Sequence, residues 1–413
     1  MPYNQLIILG NGFDLQCGLK SSFTDFMKTR KAKVDKIIAT LQNSTVFRDT
    51  TITEHDGQIF HGNAFQYWLR KEKLTVWDFI LDEDKQQRTW YDIEKCIRIW
   101  VDYRLVPENA RQKPHIQQIC SDFESNSAGK DLTPAHSIPA KDVVSVFACD
   151  FYNWDGKPDT LLNILLAELY RYEEEFAAYM SNQIKASPDY QTTATNLVLH
   201  LANDQMPQPV LKLNASMREF LENPRSTNIL DFNYTDPLME DWEHRPVVLN
   251  IHGLASEKNI IFGMDGTWLS PDRQCYVNMV RFTKTYRLMA LSGVNHESLV
   301  QPYSPNSHGT SVIKFFGHSL GDADYSYFQA IFDEVNLYES DTHLIFYYNQ
   351  HREGGENAQE DMFEKVNKLI TTYGETLDNS DHGKNLLHKL LLEGRLVIKQ
   401  APLEPTNEYY VNL

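Results

Sequence analysis

Gln5-Leu6-Ile7-Ile8-Leu9-Gly10-Asn11-Gly12-Phe13-Asp14-Leu15 is the stretch that decides the fold. Leu6 to Leu9 form an unbroken apolar run, and Gly10-Asn11-Gly12 stops it at once. A short continuous run bounded by glycines reads as a strand covered on both faces, as in a parallel sheet. A Gly-x-Gly turn leaving such a strand folds tightly and lets the backbone approach a phosphate, with turn and helix N–H groups as donors. The spacing is not Gly-x-Gly-x-x-Gly, because position 15 is Leu; the next glycine is Gly18. A turn that satisfies only its own geometry explains the same residues.

Outward from that strand, Ser21 or Ser22 can cap a helix over 23–27. The stretch 29–223 reads as mainly helical. Ile93, Ile97, Trp100 and Val101 recur at helical spacing. The strongest amphipathic segment is 161–180, with Leu162, Leu165, Leu166, Leu169 and Tyr170 on one stripe and Glu173, Glu174 and Glu175 on a wet face. Between these, about 107–141 is rich in polar residues and reads as a long flexible loop. Apolar runs return at 228–232, 247–251, 260–262, 312–316, 344–348 and 395–399, with helical patterns at 325–337, 360–371 and 385–392. The expected fold is α/β: a doubly wound, mostly parallel, Rossmann-like sheet built from 1–28 and 224–413. The helical stretch 29–223 is expected as a large insertion after the first strand-helix unit, serving as a lid or an oligomerisation region.

The chain has 413 residues, enough to bury a large core without staples. Charged residues make up 23% and hydrophobic residues 42%, which excludes a wholly disordered chain. A net charge of −17 disfavours general binding to nucleic acid or to an anionic membrane, because the field repels phosphate. The five cysteines are scattered and form no Cys-x-x-Cys pair, so neither a zinc ribbon nor a disulfide framework is indicated. No secretory signal and no membrane-spanning run is evident, and the expected setting is the cytoplasm.

Four runs end in small polar motifs, where doubly wound sheets bind ligands. The first is Gly10-Asn11-Gly12-Phe13-Asp14. The second is Asp231-Phe232-Asn233-Tyr234-Thr235-Asp236, where the Asn233 amide can donate and accept toward a ligand or simply close an Asx-turn. The third is Asn250-Ile251-His252-Gly253, where His252 is a candidate general base or a structural histidine. The fourth is Gly317-His318-Ser319-Leu320-Gly321-Asp322-Ala323-Asp324, whose glycines permit close approach and whose Asp322 or Asp324 can cap the next helix. Trp90, Asp92 and Glu94 read as a solvated helix face around one buried ring. His55 and His61 lack metal-pair spacing and read as a surface loop.

Taken together, these motifs resemble the AbiH family of bacterial abortive-infection proteins. That family is in turn similar to the sirtuin-like NAD-binding group. Gly10, Gly12 and Gly18 keep the sirtuin glycine spacing, Asn233 and His252-Gly253 match its Asn and His-Gly, and Gly317 with Ser319-Leu320 matches its Gly-Thr-Ser-Leu. The four-cysteine zinc site of the deacylases is missing, and Asp14 and Thr235 replace a Ser and an Asp. These departures argue against deacylation and fit the NAD-hydrolysing defence domains better.

The resemblance implies an anti-phage protein that hydrolyses NAD⁺ at the nicotinamide–ribose bond. Asn233 and His252 are then catalytic. Gly10, Asn11, Gly12, Phe13, Asp14, Gly18, Gly317, His318, Ser319, Leu320 and Asp322 contact the dinucleotide, and no metal is expected. Asp14 either adds negative potential or caps a turn. A second copy of the chain and a phage-derived trigger are partners this reading allows, whereas membrane and nucleic acid are not expected. The alternative is a nucleotide sensor that binds NAD without turnover and signals to a partner.

Overall fold

A computed structural model describes residues 4–43, 69–83, 90–102, 140, 143–144, 147–152, 154–204, 227–239, 245–291, 298–302, 309–349 and 357–401. The stretch expected as a loop at 107–141 lies outside these residues save Ala140, as do His55 and His61. The chain divides into two compact units. One comprises Met1–Ser21, Met180–Glu257 and Leu291–Leu413; the other comprises Ser22–Tyr179 and Lys258–Ala290.

The first unit holds a six-stranded sheet of β1 (Gln5–Leu9), β2 (Thr227–Asp231), β3 (Val247–Asn250), β4 (Val312–Phe316), β5 (His343–Tyr348) and β6 (Leu396–Gln400). Every pairing is parallel, and the spatial order is β3-β2-β1-β4-β5-β6. The chain therefore moves outward from β1 on one side, then returns to continue from β4 on the other. The apolar runs at 228–232, 247–251, 312–316, 344–348 and 395–399 all become strands, to within a residue at each end.

Alternation along the strands divides the core into two faces. Leu6, Ile8, Leu230, Ile313, Phe315, Leu344 and Phe346 share one apolar cluster with Phe328, Phe332, Ile370 and Leu386. The last four come from helices α9 (Tyr325–Glu334), α10 (Ala358–Gly374) and α11 (Ser380–Leu392). On the opposite face Lys314 reaches the carbonyl oxygens of Leu201 (2.5 Å) and Ala202 (3.2 Å), at the end of α6 (Tyr190–Asn203). Helices thus cover both faces, which explains why β1 needs no polar side.

In the first unit a short helix, α1 (Asn11–Gln16), starts inside the Gly10-Asn11-Gly12 motif, where the sequence reads only a turn. The second unit is mainly helical: α2 (Phe23–Asn43), α3 (Val76–Glu83), α4 (Trp90–Val101), the first part of α5 (Pro158–Ala186), α7 (Tyr276–Val280) and most of α8 (Lys284–Leu291). Ser22 caps α2 by accepting the Asp25 N–H (3.1 Å) and donating to the Asp25 carboxylate (2.7 Å).

Two expectations fail in this unit. The run 260–262 is not a strand, although all three side chains are buried. Its backbone is satisfied instead by a buried ion pair: the Phe262 N–H donates to Glu173 Oε1 (2.7 Å), and Arg287 Nη1 donates to the Phe262 carbonyl (3.0 Å). For the same reason Glu173 is not on a wet face of α5 but buried, while Tyr170 leaves the apolar stripe and lies exposed with the Arg287 guanidinium over its ring.

Candidate functional site

The carboxyl ends of β1, β2, β3 and β4 bring the four polar motifs side by side within the first unit. Two of these motifs touch backbone to backbone. A Cβ on Gly10 would fall 2.4 Å from the His318 Cα, and one on Gly12 would fall 2.8 Å from the Gly317 Cα. Gly317 itself has φ +69° and lies against the backbone of Gly12 and Phe13. The N–H groups expected to meet a phosphate are engaged within the protein. Gly10 donates to the Phe316 carbonyl (2.9 Å), Gly12 to that of Gly317 (2.9 Å) and Phe13 to that of Gly10 (2.8 Å). The glycines at 10, 12 and 317 thus serve the close packing of two turns.

The other residues singled out by sequence take different places, each within its own unit. Asn11 opens α1 and accepts a hydrogen bond from Ser21 Oγ (2.7 Å). Phe13 is fully buried edge-on against Phe316. Gly18, at φ +82°, lies past the far end of α1, where nothing would meet its Cβ. Ser319 is exposed, and Asp322 pairs on the surface with Lys368 (2.6 Å). Leu320 is buried with φ +55°, a conformation that costs a branched residue about 1 kcal/mol. Trp90 and Asp92 lie on α4, and Glu94 there pairs with Lys284.

The strained turn at Leu320 has a consequence for His318. The Leu320 N–H donates to His318 Nδ1 (2.9 Å). A neutral imidazole accepting at Nδ1 carries its proton at Nε2. That Nε2 faces Asp324 Oδ2 at 3.4 Å, while His252 Nε2 stands 3.8 Å from Asp324 Oδ1. Asp322 or Asp324 is the expected cap of the next helix; Asp324 takes the N-cap position of α9 without a side-chain capping bond and stands between two imidazoles. Phe232 packs edge-on against both rings.

Beside this cluster lies a second, deeper one. Asp14 is buried and accepts from Tyr190 Oη (2.6 Å) and from Thr235 Oγ1 (2.9 Å). Burial pushes its carboxyl up to about 6, against the lowering effect of those hydroxyls. Asp231 is fully buried at the end of β2, and burial, with the Asp14 charge nearby, holds it well above the usual carboxylate range. Asp231 Oδ1 accepts from both the backbone N–H (2.9 Å) and the side-chain amide (2.8 Å) of Asn233. The same amide nitrogen reaches the Gly10 carbonyl (3.2 Å). Both partners are acceptors, so the orientation of the amide is fixed: nitrogen inward, oxygen away. Asn233 is only 2% exposed, and its Oδ1 has no hydrogen-bond partner among the described residues.

Asn233 and His252 are thus on neighbouring strand tips. Asn250 Nδ2 donates to the Asn233 carbonyl (3.2 Å), and the rings of Tyr234 and His252 are 5.9 Å apart. The sequence alone assigns no role to Tyr190, Asp231 or Asn250. The available signal was Asp231 itself, an acid ending an apolar strand on the same face as Ile229. No group of three metal-ligating side chains is assembled among the described residues, and none of their helices is long and apolar enough to cross a membrane.

A family model described as "Bacteriophage abortive infection AbiH" matches residues 6–348. That is most of the chain, and the chain belongs to the AbiH family, whose function is abortive infection against bacteriophage. No curated protein and no solved structure matches it.

Proposed function

We propose that the chain, as a member of the AbiH family, acts in phage defence by hydrolysing NAD⁺ at the nicotinamide–ribose bond. The observation that carries this reading is the buried, unpartnered Asn233 Oδ1 on the strand tip beside His252. A buried acceptor without a donor is costly, about 1–3 kcal/mol, and calls for a ligand that donates. A ribose hydroxyl or the attacking water is such a donor. The strand order 3-2-1-4-5-6 supports the same reading, because it is the order of doubly wound sheets that bind dinucleotides beyond their strand ends.

The chemistry asks little of the site. Nicotinamide leaves as a neutral molecule from a cationic pyridinium, so no acid is needed for the leaving group. Asn233 Oδ1 holds a ribose hydroxyl or the water. His252, on the adjacent tip, takes a proton from the water as it attacks the ribosyl carbon. A positioned base contributes about 10²–10⁴ in rate. Asp324, beside both imidazoles, stabilises the charge that His252 gains when it accepts that proton. A constitutive NAD⁺ hydrolase harms its host, so resting activity is expected to be low.

The test is nicotinamide release from NAD⁺ by purified protein, with and without extract from infected cells. Asn233→Ala and His252→Ala are each expected to lose at least about tenfold. Equal release by wild type and His252→Ala under both conditions removes the catalytic reading. Saturable NAD⁺ binding with no product makes the protein a sensor instead.

A further inference from the structure

We infer that Asp231 is a positioning residue: it locks the Asn233 amide with its carbonyl oxygen turned to the ligand, so that the site selects a ribose bearing its hydroxyl over one lacking it. The inference rests on the NAD⁺ reading above and adds the residue that sets its selectivity.

The argument begins with what an unrestrained asparagine does. Its amide can present either oxygen or nitrogen, and a site that can swap the two discriminates poorly between donors and acceptors. Here the swap is blocked twice. Rotating the amide would aim Oδ1 at Asp231 Oδ1 and at the Gly10 carbonyl, setting oxygen against oxygen at positions now 2.8 and 3.2 Å from Nδ2. Asp231 also holds the Asn233 backbone N–H (2.9 Å), so both the main chain and the side chain of position 233 hang from one carboxylate oxygen. The other oxygen, Oδ2, accepts from Asn250 Nδ2 (3.2 Å). Asn250 in turn donates to the carbonyl oxygens of Asn233 (3.2 Å) and Thr235 (2.8 Å), which ties the tip of β3 to the turn after β2.

An Asx-turn needs only the bond from Asp231 to the Asn233 N–H. It does not account for the side-chain amide being held as well, nor for a fully buried acid in a place where a serine would close the turn. Nor does it account for Asn233 Oδ1 being left buried and unpartnered. A site built to receive a hydrogen bond rejects the analogue that cannot give one, by up to about 10⁴–10⁵ in the strongest cases.

The experiment compares the affinities of NAD⁺ and of an NAD⁺ analogue lacking the 2′-hydroxyl of the nicotinamide ribose. Both are measured by calorimetry in the His252→Ala background, so that neither ligand is consumed. With Asp231 intact, NAD⁺ is expected to bind at least about tenfold more tightly. Adding Asp231→Ala is expected to bring the two affinities within about threefold, and Asn250→Ala to give an intermediate ratio. Asn250→Ala removes the donor that holds Asp231 Oδ2 and the ties from β3 to the turn, which loosens the grip of Asp231 on Asn233; it serves where Asp231→Ala does not fold, which far-ultraviolet circular dichroism reports. A preference that persists unchanged in folded Asp231→Ala or Asn250→Ala overturns the inference and reduces Asp231 to a turn residue. Equal binding of both ligands with Asp231 intact also overturns it, while leaving NAD⁺ as the ligand. Binding of neither ligand removes the NAD⁺ reading, and this inference with it.

Discussion

Among the buried carboxylates of the described residues, Asp78 and Glu173 in the helical unit and Asp14 and Asp231 in the sheet unit are held in opposite ways. In the helical unit Asp78 receives the Arg30 guanidinium side-on, with Nε on Oδ1 at 2.6 Å and Nη2 on Oδ2 at 2.7 Å. Glu173 receives Arg287 in the same forked manner, with Nη2 on Oε2 at 2.6 Å. Each guanidinium spends its remaining donors on backbone carbonyls or a further carboxylate. In the sheet unit, Asp14 and Asp231 are bonded by hydroxyls and amides instead. A bidentate pair neutralises a buried charge, whereas neutral donors only solvate it. The helical unit thus uses acids as internal fasteners. The sheet unit keeps two acids at a cost in stability, beside the side chains proposed to do chemistry, and such costs collect at functional sites.

The largest expected effect comes from breaking a fastener. Arg30→Met leaves Asp78 buried without its partner and is expected to cost about 3–5 kcal/mol, read from urea unfolding followed by a probe in the helical unit. Arg30→Met with Asp78→Leu is expected to recover most of that loss, since it removes the stranded charge as well. A loss under about 1 kcal/mol in the single variant means that the guanidinium is not what makes burial of Asp78 tolerable.

Replacing a buried acid of the sheet unit has the opposite sign. The Asp14 carboxyl is raised from its ordinary 3.8 to about 6 by burial, so the folded state holds its proton more firmly than the unfolded state does. The contribution of Asp14 to stability is therefore greatest below about pH 4, falls as the pH rises to about 6, and stays reduced above it. At about 1.4 kcal/mol per tenfold, the swing is about 3 kcal/mol. Asp14→Asn does not titrate. Its stability relative to wild type is expected to improve by about that amount between pH 4 and pH 7.5 in urea unfolding. A difference that stays flat with pH would show that Asp14 is not forced to ionise in an apolar setting.

How much of this was open to the sequence differs between the backbone and the site. All six strands of the sheet followed from continuous apolar runs stopped by polar residues, because a strand covered on both faces leaves that mark in any order of assembly. The run at 260–262 carries the same mark and is not a strand, since the partner of its backbone is an ion pair assembled from Glu173 and Arg287. Gly10 and Gly12 announced a close approach; that the neighbour is the Gly317 turn, 300 residues on, needed the sheet order. Asp322 or Asp324 reads as a helix cap because a local bond is the one a sequence can show, whereas one imidazole beside Asp324, that of His252, comes from the tip of β3. The Asp14 cluster was hidden for the same reason: its hydroxyls arrive from α6 and from the turn after β2.

The smallest expected effect tests whether Asp14 is charged when the protein works. Tyr190 Oη lies 2.6 Å from Asp14 Oδ1 and 2.9 Å from Thr235 Oγ1, and Thr235 Oγ1 lies 2.9 Å from Asp14 Oδ2. Each hydroxyl has one proton. Against an ionised Asp14 both protons point at the carboxylate; against a protonated Asp14 one hydroxyl turns to accept. Tyr190→Phe removes one of these bonds and little volume. With Asp14 ionised, the lost bond is charge-assisted and is worth about 1.5–3 kcal/mol. With Asp14 protonated it is an ordinary bond of about 0.5–1.5 kcal/mol. Because the Tyr190 hydroxyl holds the Asp14 carboxyl down, its removal also lets that carboxyl rise further. Unfolding of Tyr190→Phe is therefore expected to cost more at pH 8 than at pH 4.5, and an equal cost of about 0.5–1.5 kcal/mol at both would place Asp14 among the neutral groups throughout, ending its contrast with Asp78.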